Sequence, residues 1–103
     1  MKPRIAVCYG IPTDPAAFDE HYRSVHIPLT LKVPGLEEFT WAKCASLDGS
    51  APPYYAVAHL SFETEHALRL ALVSPEMRDA ARDVRNFATG SVTMYIEHLE
   101  PSS

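Results

Sequence analysis

Apolar and polar positions alternate with two different periods along this chain, and the switches between them mark seven elements. Residues 4–11 (RIAVCYGI) are rich in β-branched and aromatic side chains between Pro3 and Pro12, which predicts a strand. From Asp14 the period lengthens. Phe18, Tyr22, Val25 and Leu29 recur at helical intervals, Asp14 is placed to cap and Pro15 fills the first helical position. The spacing predicts a helix over 15–31, stopped by Pro34-Gly35. Residues 35–46 (GLEEFTWAKCAS) alternate again, with Glu37, Phe39, Trp41 and Lys43 on one side and Glu38, Thr40, Ala42 and Cys44 on the other. Polar residues on both sides predict a strand near a sheet edge.

A loop with the composition LDGSAPP follows, then a third strand, YYAVAHLSFE, whose faces are Tyr55, Val57, His59, Ser61 and Tyr54, Ala56, Ala58, Leu60, Phe62. Thr64 caps a short helix through Leu72, and Ser74-Pro75 starts another with an apolar stripe of Met77, Ala80, Ala81, Val84 and Phe87. Gly90 ends it, and SVTMYIEHL is the fourth strand.

The order is βαββαβ with the second crossover split in two. Right-handed crossovers put the helices on one face of a single four-stranded antiparallel sheet, which makes a ferredoxin-like α+β sandwich within one domain over residues 1–103. No helix remains for the other face, to which the strands offer Tyr, Val, Trp and Met side chains. A second copy of the chain is the simplest cover, so the pattern predicts a homodimer with the two sheets forming a dimeric α/β barrel.

Composition narrows the function. A hydrophobic fraction of 47% and a charged fraction of 21% are ordinary for a globular domain. The net charge is −4 and the nine Lys and Arg residues are scattered, which argues against a nucleic-acid partner or an anionic membrane surface. No run approaches the roughly 18 apolar residues of a membrane span, and the N-terminus lacks a signal-peptide core. Cys8 and Cys44 lie in strand-like runs and read as buried free thiols, placing the chain in the cytoplasm. Neither a nucleotide motif nor a metal-ligand spacing is present, so no cofactor or metal is expected.

The segment HYRSVHIPL, residues 21–29, is where chemistry concentrates. Phe18, Tyr22 and His26 are four apart and fall within about 80° of one another on a helix, so His26 faces the sheet with the two aromatics. Pro28 deprives the Ser24 carbonyl of its helical partner and loosens the helix beside His26. His26 is therefore placed to move protons in the gap, the free carbonyls favouring its charged form, or else simply to satisfy those carbonyls. His21, about 140° away round an ideal helix, is expected in solvent or at a dimer edge and unable to share a proton or metal with His26. Ala56 and Ala58 leave space beneath the helix, and Tyr9, Phe18, Phe39, Trp41 and Phe87 are candidate walls for an apolar or aromatic small molecule. His59 is expected to face the dimer barrel. Asp83 and Asn86 are expected to fix the turn into the last strand.

Three segments in order, FDEHYRSVHIPLTLKVPGL, YYAVAHLSFET and SPEMRDAARDVRNFATG, resemble the EthD family over nearly the whole chain. The resemblance implies a dimeric, ferredoxin-like α/β-barrel domain, a link to oxidative catabolism or biosynthesis, and interest centred on His26 of the His-x-Pro-Leu stretch. Related barrels include cofactor-free isomerases, cyclases and oxygenases. Lactone-isomerising relatives carry a tyrosine just after Pro-Gly-Leu, where this chain has Phe39, leaving Tyr22 or Tyr9 to stand in as hydroxyl donor beside His26. Three readings follow: a small-molecule-binding protein, a cofactor-free acid–base enzyme, or a structural dimer without ligand.

Overall fold

The computed structural model describes residues 2–101. Its strands are β1 (Pro3–Tyr9), β2 (Leu36–Lys43), β3 (Ala56–Phe62) and β4 (Val92–His98). The first crossover is a continuous helical run in three parts: α1 (Pro15–His21), a π-helical turn (Tyr22–His26) and α2 (Ile27–Thr30). The second is α3 (Glu65–Leu72) followed by α4 (Pro75–Phe87). The helix starts are those written in the sequence. Asp14 Oδ1 accepts from the Ala17 N–H at 3.1 Å, Thr64 Oγ1 from Ala67 at 3.0 Å and Ser74 Oγ from Met77 at 3.1 Å. Each such cap is worth about 1 kcal/mol.

The sheet order is β2-β3-β1-β4 with every pairing antiparallel, the ferredoxin-like arrangement in an α+β fold, and β2 lies at an edge as its two-sided polarity predicts. Register fixes the faces. Ile5 lies opposite Leu60 and Ile96, Val7 opposite Ala58 and Met94, and Tyr9 opposite Ala56 and Val92, all on the helix side. Phe39 and Trp41 join them through Leu60 and Ala58. Trp41 and Met94 thus face the helices and not the open face, which a period-two pattern cannot decide without the register. The open face carries Arg4, Ala6, Cys8, Val57, His59, Tyr95 and Glu97, tied by Arg4 Nε to Glu97 Oε1 at 2.7 Å and His59 Nε2 to the same oxygen at 3.3 Å.

The core beneath α1 is aromatic. Tyr9, Phe18, Tyr22 and Phe87 all touch, with ring centroids 5.0–5.7 Å apart, mostly edge to face. Such pairs add about 0.5–1.5 kcal/mol each beyond the area they bury. Cys8 is buried and Cys44 only half-buried, and neither is paired. Gly90 does not end α4, which stops at Phe87. Instead Gly90 lets two backbones meet: a Cβ there would lie 2.7 Å from the Ile11 carbonyl oxygen and 2.9 Å from the Gly10 carbonyl carbon. No helix among the described residues is long and apolar enough to cross a membrane.

Candidate functional site

The loosening expected at Pro28 takes a definite form. Across Tyr22–His26 the helix widens to π geometry, and the Ile27 N–H donates to the Tyr22 carbonyl five residues back. A π turn closes i to i+5, so residues five apart come onto the same side. That geometry corrects the expectation for His21. His21 Nε2 lies 2.8 Å from Asp83 Oδ1 and His26 Nδ1 2.9 Å from Asp83 Oδ2, so one carboxylate holds both imidazoles. Asn86 Nδ2 also donates to Oδ1, at 3.0 Å. Asp83 and Asn86 therefore do not fix the turn into β4. They lie within α4, and Asp83 is only 5% exposed.

Nor does His26 serve the freed carbonyls, since its Nδ1 is spent on Asp83. An ionised carboxylate only accepts, so Nδ1 carries the hydrogen and Nε2 keeps its lone pair. Burial lowers the His26 pKa below its usual 6.5; the hydrogen bond to Asp83 opposes this, and the result is a shift downward. The helix-end carbonyls were expected to favour the charged ring, and desolvation overrides that effect. Burial would raise the Asp83 pKa, but hydrogen bonds from His21, Asn86 and His26 together hold it below 3.8. The pair rests as a carboxylate with a neutral imidazole.

His26 borders a partly open cleft of about 460 Å³ between the helices and the sheet. Ile5, Val7, Tyr9, Phe39, Ala58, Leu60, Met94, Tyr95 and Ile96, all on the strands, form its floor; Thr30, Leu72, Met77, Ala80, Ala81 and Val84 form its roof and far side. Tyr22 and His26 close one end. Among the described residues, the lining holds no Lys, Arg, Asp or Glu. The buried side-chain polar atoms without a partner are Tyr22 Oη and Thr30 Oγ1. Nε2 of His26 has no hydrogen-bond partner among the described residues, and the ring borders the cleft. Burial pushes the Tyr9 and Tyr22 phenols well above their usual range. The two rings influence each other, yet no hydrogen bond of good geometry satisfies the Tyr22 hydroxyl.

Of the residues singled out in the sequence, Tyr9, Tyr22, His26, Phe39 and Ala58 come together on this cleft. Phe18, Trp41, Ala56 and Phe87 do not line it. Phe18 and Phe87 pack behind Tyr22, with Phe87 4.7 Å from the His26 ring, and Ala56 sits across from Tyr9. Trp41 packs against Tyr22 with ring centroids 4.5 Å apart and planes tilted by 40°, at the sheet edge under Arg23. Sequence reasoning missed Asp83, although it lies between Ala80 and Phe87 at helical spacing: a carboxylate set in an apolar stripe was the available signal.

Fold and site together define a small ferredoxin-like domain with a histidine facing an apolar cleft. The model of the EthD domain family matches residues 12–91, and the chain belongs to that family. An uncharacterized 11.0 kDa protein of the thcB-thcC intergenic region of Rhodococcus erythropolis is 50% identical over 91 residues, covering 88% of each chain. The crystal structure of an ethyl tert-butyl ether D (EthD) family protein from Bacillus halodurans C-125 superposes with a TM-score of 0.89 at 27% identity, covering 97% of this chain and 100% of that one. SnoaB, a cofactor-independent oxygenase from Streptomyces nogalater, matches with a TM-score of 0.71 at 15% identity, covering 98% of this chain and 95% of SnoaB. A dimeric ferredoxin-like protein of unknown function from Jannaschia sp. CCS1 matches with a TM-score of 0.70 at 17% identity, covering 96% and 100%. Likeness at the last two identities speaks for the fold alone.

Proposed function

We propose that this EthD-family protein binds an apolar or aromatic small molecule in the cleft beneath its helices, where His26 acts as a cofactor-free general base. One observation carries the reading: Asp83 holds the His26 ring through Nδ1 at the end of a mostly apolar cleft, which leaves Nε2 as the ring's free acceptor. A buried imidazole with a lowered pKa is unprotonated at neutral pH and so is ready to accept a proton. Asp83 fixes the ring's orientation and stabilises the imidazolium formed when Nε2 takes a proton from the substrate; the ring later returns that proton. A proton abstraction of this kind fits isomerase, cyclase or oxygenase chemistry on an enolisable or phenolic substrate. A cleft of this size weighs against the ligand-free structural reading, and SnoaB provides a precedent of the same fold without a cofactor. The function belongs beside oxidative catabolism or biosynthesis of such compounds, and two unpaired cysteines favour the cytoplasm. The working unit in this reading is a homodimer, with the open sheet face as its interface.

The test is hydrogen–deuterium exchange at the acidic C–H of a panel of aromatic ketones and anthrones. The wild-type protein is expected to accelerate exchange of at least one member. His26→Ala should keep the fold and its apolar-ligand binding but lose about 10²–10⁴-fold in rate. Equal rates in the two proteins would end the catalytic role of His26 and leave binding alone.

A further inference from the structure

The tautomer of His26 and the charge content of the cleft lining together restrict what can bind. Asp83 accepts at both oxygens, from His26 at Oδ2 and from His21 and Asn86 at Oδ1, so His26 cannot exchange the roles of its nitrogens without losing that bond. Nε2 is thereby fixed as an acceptor, and a ligand meeting it must bring a donor. The rest of the lining, among the described residues, offers no cation to an anionic group. Burying an unpaired carboxylate in such surroundings is costly, whereas a neutral hydroxyl donating to Nε2 has its proton satisfied and carries no charge into the cleft.

We propose that the cleft selects uncharged aromatic molecules bearing a hydroxyl donor, phenols or enols, and rejects carboxylates of the same size. This inference rests on the pocket reading above and specifies its ligand. Sites built around a substrate hydroxyl discriminate strongly against analogues that lack it, because their own polar group is then left unpaired. The apolar surfaces of Val7, Leu60, Met77 and Val84 take the ring system and Nε2 of His26 accepts the ligand's hydroxyl proton, while the hydroxyls of Tyr22 and Thr30 on the same lining carry no charge to pair with an anion.

The experiment compares three probes by calorimetry at pH 7.5: 1-naphthol, 1-methoxynaphthalene and 1-naphthoate. The ring is common to all, and only the first is a neutral donor. 1-Naphthol is expected to bind at least tenfold tighter than the methyl ether, with 1-naphthoate weakest. In His26→Leu that preference should fall to about one while the affinity for the ether changes less than threefold. Nitrogen-15 chemical shifts of His26 in the ligand-free protein give a readout that needs no ligand and no variant, and they should show Nδ1–H with an unprotonated Nε2. Equal binding of naphthol and its ether, naphthoate binding as tight as naphthol, or an Nε2–H ring would each overturn the inference. Failure of all three probes to bind, with the Nδ1–H ring confirmed, would instead overturn the pocket reading on which it rests.

Discussion

At the scale of single residues, Asp83 and His26 make the protein's stability depend on pH in two separate windows. His26 is neutral in the folded state because burial outweighs the pull of Asp83, whereas the unfolded chain takes up its proton near 6.5. A histidine whose folded pKa is lowered therefore loses stability for the protein as pH falls from about 6.5 to the folded value, and no more below it. Asp83 works the other way in its own range. Its stabilisation is present above 3.8 and lost as pH falls through its lowered folded value. Urea unfolding between pH 7.5 and pH 5 isolates the first window. The wild type should lose more stability over that interval than His26→Gln, with His21, His59, His66 and His98 common to both. Parallel curves would show that His26 does not resist protonation. The sequence made His26 visible through its helical phase with Phe18 and Tyr22, but not its partner, because Asp83 lies 57 residues away.

At the scale of elements, the π turn and the Gly10–Gly90 crossing do the positioning. Pro28 was legible as a weak point; that the weakness becomes a π turn was not, because an ideal helix is the only ruler a sequence offers. The difference moved His21 from the far side of the helix onto Asp83. Gly90 was read as a helix stop, but its function is close approach where β1 leaves the sheet and β4 enters, with the Gly10 N–H donating to the Ser91 carbonyl at 2.7 Å. The atoms that an added Cβ would meet at Gly90 are backbone, which cannot turn aside as a side chain would. Gly90→Ala is expected to destabilise by about 1–3 kcal/mol, as over-packing typically does, measured by the urea midpoint. A change below about 0.5 kcal/mol, the range of ordinary surface substitutions, would show that the crossing has room.

At the scale of the whole molecule, one sheet face is covered by helices and the other is not. Tyr95 on the open face remains 48% exposed and shares that face with Val57 and the Arg4–Glu97–His59 cluster. Self-association through this face should appear as a dimer in sedimentation equilibrium. Val57→Glu, which puts a charge on that face, should shift the protein to monomer without unfolding it. A wild-type monomer at micromolar concentration would remove the homodimer from the proposal.

The sequence alone determined the elements, their order, the three capped helix starts and the ferredoxin-like fold, because periodicity, caps and turn residues act within a few positions of one another. It also singled out His26, whose helical phase with Phe18 and Tyr22 is local. Only the tertiary structure decided which face Trp41 and Met94 take, since register is set between strands. Only there does α4 cross the π turn, bringing Asp83 to both histidines and opening a cleft before Nε2. Those relations join residues far apart in the chain, and the packing of helices on a sheet sets such distances where local pattern cannot.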